Sequence, residues 1–363
     1  MNMKKLSLAA LSLTLSVGLL AGCAGGNSGA SATPSATPAA TPSTSASDSP
    51  SASTPASGDA VKTGLSVITS VADSKNASAD GDGLAQANIA LVAVTVDDAG
   101  VIDGCVIDMV QSKINFDTAG ALTTDAATTF LSKDELGDDY GMRKASSISK
   151  EWNEQATAFA EYAVGKTVDE LKGIAVTEKG APSDADLAAS VTLSVGDFIS
   201  GIEAAVNNAT SLGAQKGDKL GLASSTNMES SKNASADGDG LAQAYATIAA
   251  VTTNGDTITS CVIDAVQANV NFDTTGAITT DLAAAVASKD ELGDDYGMRK
   301  ASAIGKEWNE QAAGFAAYVT GKTVSDVTGI AVNEKGAATD TDLAASVTVG
   351  IGDFQAVVAK AAG

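Results

Sequence analysis

The chain has 363 residues, room for about two domains at roughly 150 residues each. Its 22 basic residues face 44 acidic ones, a formal charge of −22, so no nucleic-acid partner is expected and an anionic membrane face repels the polypeptide. There is no histidine, and the three cysteines form no Cys-x-x-Cys pair, which excludes histidine-based general catalysis, histidine or thiolate metal sites and a disulfide scaffold.

The N-terminus reads as an export signal. Lys4 and Lys5 precede an apolar run from Leu6 to Leu20, which is short for a membrane span. The run ends Leu20-Ala-Gly-Cys23, which resembles the lipobox of bacterial lipoproteins. That resemblance implies a signal peptide over 1–22, a lipid on Cys23, and a place on the outer face of the cell membrane. The lipid would then be the only membrane attachment, through its buried acyl chains. Within the expected 23–60 linker, residues 24–60 contain no Lys, Arg, aromatic or large aliphatic side chain. Such a segment buries too little apolar surface to offset its ordering entropy and is expected to be a disordered tether. As a flexible coil it would reach roughly 30–35 Å.

The remainder is a tandem repeat. Ser74–Ala87 recurs unchanged at 231–244, and Ser132–Ser146 recurs unchanged at 288–302. Equivalent positions are offset by 157 residues in the first block and 156 in the second. The lost residue falls in a turn, Asp97–Gly100 against Thr253–Asp256. Units of this size are domains rather than solenoid repeats, so 61–212 and 213–363 are expected to fold separately.

In chain order, Ala90–Val96 and Val101–Val110 predict a hairpin, and Asn254-Gly255 marks the same turn in the second unit. Ala126–Leu131 predicts a short helix, followed by a loop over Lys133–Ala145. Ile148, Trp152, Phe159 and Ala163 share one face of a helix expected from Ser147 to Val164, with Gly165 as its stop. Thr167-Val-Asp-Glu170 is a capping box opening a short helix. Ile174–Val176 predicts a short strand, Ser183–Ala188 a helical turn, Ser190–Val195 a strand, and Asp197–Val206 a helix. The fold class is α+β: two tandem repeated domains, each a small antiparallel-rich sheet with packed helices.

Cys105 and Cys261 are equivalent strand positions and read as buried small residues. The identical loop is more informative, because the stretch before it has drifted from AATTFL to LAAAVA. Asp138, Asp139, Tyr140, Met142, Arg143 and Lys144 suit a flat, phosphorylated ligand, and Tyr296 and Met298 repeat the aromatic and thioether positions. A structural loop held by Gly137 and Gly141 is the other reading.

Near the end of each unit stand Asp186-Leu-Ala-Ala-Ser-Val-Thr192 and Asp342-Leu-Ala-Ala-Ser-Val-Thr348, each running into an expected helix. This arrangement resembles the flavinylation motif of the FMN-binding domain family, whose pattern is Asp, two residues, Ser-Gly-Ala-Thr. Asp186 and Thr192, and Asp342 and Thr348, match that pattern. Ala189, Ser190 and Val191, and Ala345, Ser346 and Val347, depart from it. The wider stretches 74–209 and 231–363 are similar to the tandem flavin lipoproteins of Gram-positive extracellular electron transfer. The resemblance implies FMN joined by a phosphoester to Thr192 and Thr348, with a flavin transferase as partner. It also implies a membrane electron donor, a dehydrogenase or quinone, and an external electron acceptor. Such a protein is an electron-transfer carrier more than an enzyme, and no catalytic residue is expected. Gly120-Ala-Leu-Thr123 and Gly276-Ala-Ile-Thr279 are second-ranked attachment sites, because Leu122 and Ile278 replace the hydroxyl. The competing function class is a non-redox surface lipoprotein, an adhesin or a module binding a small ligand or wall polymer.

Overall fold

The computed structural model describes residues 60–363. The signal segment, Cys23 and the tether up to 59 lie outside the described residues. Each repeat opens with three antiparallel strands in meander order: β1 (Lys62–Ser70), β2 (Gly83–Val96) and β3 (Ile102–Phe116) in the first. Five helices follow: α1 (Lys133–Leu136), α2 (Trp152–Ala163), α3 (Val168–Lys172), α4 (Ala185–Ala188) and α5 (Gly196–Asn208). The second repeat has β4 (Lys219–Asn227), β5 (Gly240–Asn254), β6 (Thr257–Phe272), α6 (Lys289–Leu292), α7 (Trp308–Val319), α8 (Val324–Thr328), α9 (Thr341–Ala344) and α10 (Gly352–Ala362). The α+β class is therefore seen, with two three-stranded sheets.

Strand side chains alternate between two faces, and here both faces are apolar. On β2, Val92 and Val94 pack beneath α2 and α5 with Phe159 and Ile202. The opposite face, Ala85, Ala87, Ile89, Leu91 and Ala93, packs against Ala242, Ala244, Ala246, Ile248 and Ala250 of β5. The order of layers is helices, sheet, sheet, helices. The two repeats thus share a central core, and neither half contains all of it.

The contact between repeats is isologous, as in a two-fold dimer. Phe116 and Phe272 stack across it, with ring centroids 4.2 Å apart and planes 7° from parallel. Each ring lies over a glycine on the neighbouring strand, because Gly83 pairs with Phe116 and Gly240 with Phe272. A Cβ on Gly83 would lie 2.3 Å from the Phe116 ring. The Asn76 Oδ1 accepts the Ile278 N–H at 2.8 Å, and the Asn233 Oδ1 accepts the Leu122 N–H at 2.8 Å. Ala77 N–H donates to the Gly276 carbonyl, and Ala234 N–H to the Gly120 carbonyl, both at 2.8 Å. The unchanged Ser74–Ala87 block therefore forms part of the contact, used twice.

Several expected elements differ. Ala126–Leu131 is not helical: Asp125 takes the Ala127 N–H in an Asx turn, and the Phe130 N–H donates to Thr226 of β4 at 2.9 Å. The long helix starts at Trp152 rather than Ser147, because Glu151 caps it and Ser149 has a φ of 54°. Ser190–Val195 is irregular and has no partner strand; its alternation comes from Val191 and Val195, both fully buried under the helices. Ile174–Val176 contributes one bridge, Val176 to Pro182. The loop after Ser132 contains α1 and a 3₁₀ turn over Gly137–Tyr140. The Thr167–Glu170 capping box is present.

Candidate functional site

The repeated threonines sit in the same cradle in both halves. Thr192 N–H and Oγ1 both donate to the Gln155 Oε1, at 2.8 and 3.1 Å. Thr348 N–H and Oγ1 do the same to the Gln311 Oε1, at 2.8 and 3.2 Å. Gln155 and Gln311 are fully buried. Their amide nitrogens donate to Ser146 Oγ and Ser302 Oγ, at 3.3 and 3.1 Å, so each glutamine ties the threonine segment to the identical loop. The threonines themselves are half-buried. Immediately beyond, α5 and α10 begin without any side chain capping their N-termini. Free N–H groups and the positive dipole end there favour a negative charge. Asp197 and Asp353, in the first turns, oppose it.

The identical loop is held by a buried carboxylate. Glu151 is 1% exposed, and its two oxygens accept the N–H groups of Met142 and Arg143, both at 2.8 Å. Glu307 does the same for Met298 and Arg299, at 2.8 and 2.7 Å. Charge-assisted bonds of this kind are the strong ones. Tyr140 and Met142 are half-buried and pack on the outer core of the first repeat, as does Leu193 beside Thr192. Tyr296 and Met298 pack on the outer core of the second with Val349. The predicted aromatic, thioether and threonine positions therefore border one apolar surface in each repeat. Asp186 and Asp342 are exposed on α4 and α9, and among the described residues neither carboxylate hydrogen-bonds to its threonine.

Two lysines complete the picture. Lys133 Nζ stands 4.7 Å from the centroids of Tyr140 and Trp152. Lys289 Nζ stands 4.7 Å from Tyr245, Tyr296 and Trp308, and donates to the Tyr245 Oη at 3.1 Å. Loss of water pushes both ammonium groups down to about 8, against the pull of Asp108 on Lys133 and of Asp264 and Asp353 on Lys289. Aromatic faces compensate part of that desolvation. Sequence reasoning did not single out these lysines or the glutamines. The signal was present, because Ser-Lys-Asp-Glu and Trp-Asn-Glu-Gln are unchanged between the repeats.

Cys261 is buried as expected, whereas Cys105 is only half-buried and borders a cavity; desolvation pushes both thiols up to about 12, which suppresses the reactive thiolate. Thr123 and Thr279, the second-ranked sites, donate to Asp82 and Asp239 at 2.7 and 2.6 Å beside the contact between repeats. Among the described residues no helix is long and apolar enough to cross a membrane, and no group of three acidic, histidine or cysteine residues is disposed to hold a metal ion. Comparison with protein-family models, curated proteins and solved structures gives no match.

Proposed function

We propose that this protein is a lipid-anchored extracellular flavoprotein that carries covalent FMN in both repeats and relays electrons from a membrane donor to an external acceptor. The observation that carries the reading is the duplicated cradle: the same half-buried threonine hydroxyl, held by the same buried glutamine, next to the same uncapped helix N-terminus. The residues fit the group. Thr192 and Thr348 would bear the phosphoester, and the uncapped N–H groups would face its remaining charge. Tyr140 and Met142, and Tyr296 and Met298, would border the ring system. FMN supplies one- and two-electron chemistry that a chain without histidine or reactive thiols lacks. A flavin transferase is the partner this reading requires, and Cys23 is its anchor. The donor is a dehydrogenase or a quinone.

The test is coexpression with a flavin transferase, followed by intact mass and peptide mapping. Two additions are expected, each the mass of FMN less water. Thr192→Ala and Thr348→Ala should each remove one. Serine at either position should retain attachment, and valine, which keeps the shape without the hydroxyl, should abolish it. Flavin mapped to Thr123 or Thr279 would move the site; no flavin with an active transferase would reject covalent attachment.

A further inference from the structure

A cavity of about 590 Å³ lies away from the threonine cradles, in the seam between the repeats. This is within the usual range for a small-molecule site. Leu65 and Val67 of β1 form one wall, and Ala313 and Ala316 of α7 the other. Asp264, Asp290 and Glu291 stand at one end, together with Asn309. The Asn309 Oδ1 is buried without a hydrogen-bond partner. Glu291 Oε2 accepts the Ser288 N–H at 2.8 Å. Among the described residues no cation forms an ion pair with Asp264, Asp290 or Glu291, although Lys289 lies close enough to act on Asp264.

The pseudo-two-fold supplies a second seam, and there the counterpart of Glu291 is occupied, while the Asn153 Oδ1 is as unpartnered as that of Asn309. Glu135 is the counterpart of Glu291 in the unchanged block, and its Oε2 accepts the Ser132 N–H in the same way, at 3.0 Å. Its Oε1 is bound by the ammonium of Lys360 at 2.5 Å. The same ammonium donates to the Ser224 carbonyl at 2.7 Å. The Lys360 stem crosses this seam from α10 to α1, and the cavity beside it is smaller, about 260 Å³. The counterpart of Lys360 is Ala204. The alignment is secured by the neighbouring residues: the Ala205 carbonyl lies against Gly64 as the Ala361 carbonyl lies against Gly221. Ala204 lines the large cavity. The first seam therefore lacks the ammonium that its twin contains, and has space where the lysine stem would run.

We propose that the large seam binds a small primary alkylammonium compound, with its charged head on Glu291 and its apolar stem between Leu65, Val67 and Ala316. The intramolecular Lys360 is the template for that geometry. The Asp264 and Glu291 carboxylates lie close enough to act on Asp290, and all three line the cavity. The proposal goes beyond the flavin reading and does not depend on it.

The test is calorimetric titration of the full chain with n-hexylammonium chloride near neutral pH, with n-hexanol as the uncharged control. One site per chain is expected. Hexanol should bind at least about tenfold more weakly, because it loses a charge-assisted contact. Glu291→Gln should weaken hexylammonium by a similar factor; its amide oxygen can still accept the Ser288 N–H, so the fold is retained. Ala204→Lys should abolish binding and raise the melting temperature, because it rebuilds the Lys360–Glu135 pair in the other seam. Equal binding of hexanol and hexylammonium, or unchanged hexylammonium binding in Ala204→Lys, overturns the proposal. Absence of flavin attachment with hexylammonium binding intact would count against covalent FMN alone.

Discussion

The stacked pair of Phe116 and Phe272 offers a direct test of whether the repeats are one cooperative unit. Both rings are fully buried and belong to different repeats. Truncating either to alanine should cost about 3–5 kcal/mol, the transfer of a buried ring plus the cavity it leaves. The double variant should cost less than the sum of the singles by about 0.5–1.5 kcal/mol, the worth of a stacked aromatic pair. The chain has two tryptophans, Trp152 and Trp308, one in each repeat. Replacing one by phenylalanine makes the other a reporter of its own half. Urea unfolding of Phe116→Ala, followed through Trp308, should shift to lower denaturant together with the Trp152 signal. A shift seen by Trp152 alone, with Trp308 unmoved, would refute the shared core and restore two independent domains.

Other perturbations read other parts of the structure. Glu151→Ala leaves the Met142 and Arg143 N–H groups without their carboxylate and should cost about 2–5 kcal/mol in urea unfolding, as for loss of a buried hydrogen-bonded charge; a loss under about 1 kcal/mol would mean that the loop does not depend on it. Gly64→Ala brings a Cβ to 1.9 Å from the Ala205 carbonyl, so α5 must lift off β1 and the melting temperature should fall well below that of Gly100→Ala, where no atom lies nearby. Residues 61–212 expressed alone expose their half of the central core and should elute as a dimer in light-scattering chromatography; a stable monomer argues against the isologous contact. Desolvation, then Asp264 and Glu291, raise the Asp290 carboxyl from 3.8 to about 8, so its proton is bound more tightly in the folded state. That contribution is fully present below about pH 4 and is lost as pH rises through about 8. Thermal melts of Asp290→Asn should accordingly depend less on pH across this window than those of the parent.

Much of the local structure was readable because it is specified within a few residues. The Thr167–Glu170 capping box and the buried face Trp152, Phe159 and Ala163 each depend on near neighbours in sequence, as does the second hairpin turn, which falls at Gly255-Asp256, one residue beyond the expected Asn254-Gly255, because Asn254 pairs with Thr257. β1 and β4 carry no clear strand signal, because Gly64 and Gly221 interrupt their apolar pattern where a helix backbone approaches. The helix expected over Ala126–Leu131 fails for a different reason. Its backbone pairs with Thr226 and Asn227 of the other repeat, a contact that a reading of one unit cannot contain. The site was legible in its residue types but not its wiring. Thr192 and Met142 stand out by pattern, whereas the Gln155 and Glu151 that hold them are buried polar groups defined by the hydrogen bonds they satisfy.

The isologous contact has a genetic consequence. A dimer of identical chains must change both of its seams whenever one codon changes. Joined in tandem, the two copies are edited one at a time. Lys360 closes one seam while Ala204 leaves its counterpart open, an asymmetry that a single-copy gene cannot encode. Fusion thus gives the molecule two unequal sides from one ancestral surface. It also fixes their stoichiometry at one of each, because a short linker holds the halves at an effective concentration on the order of millimolar.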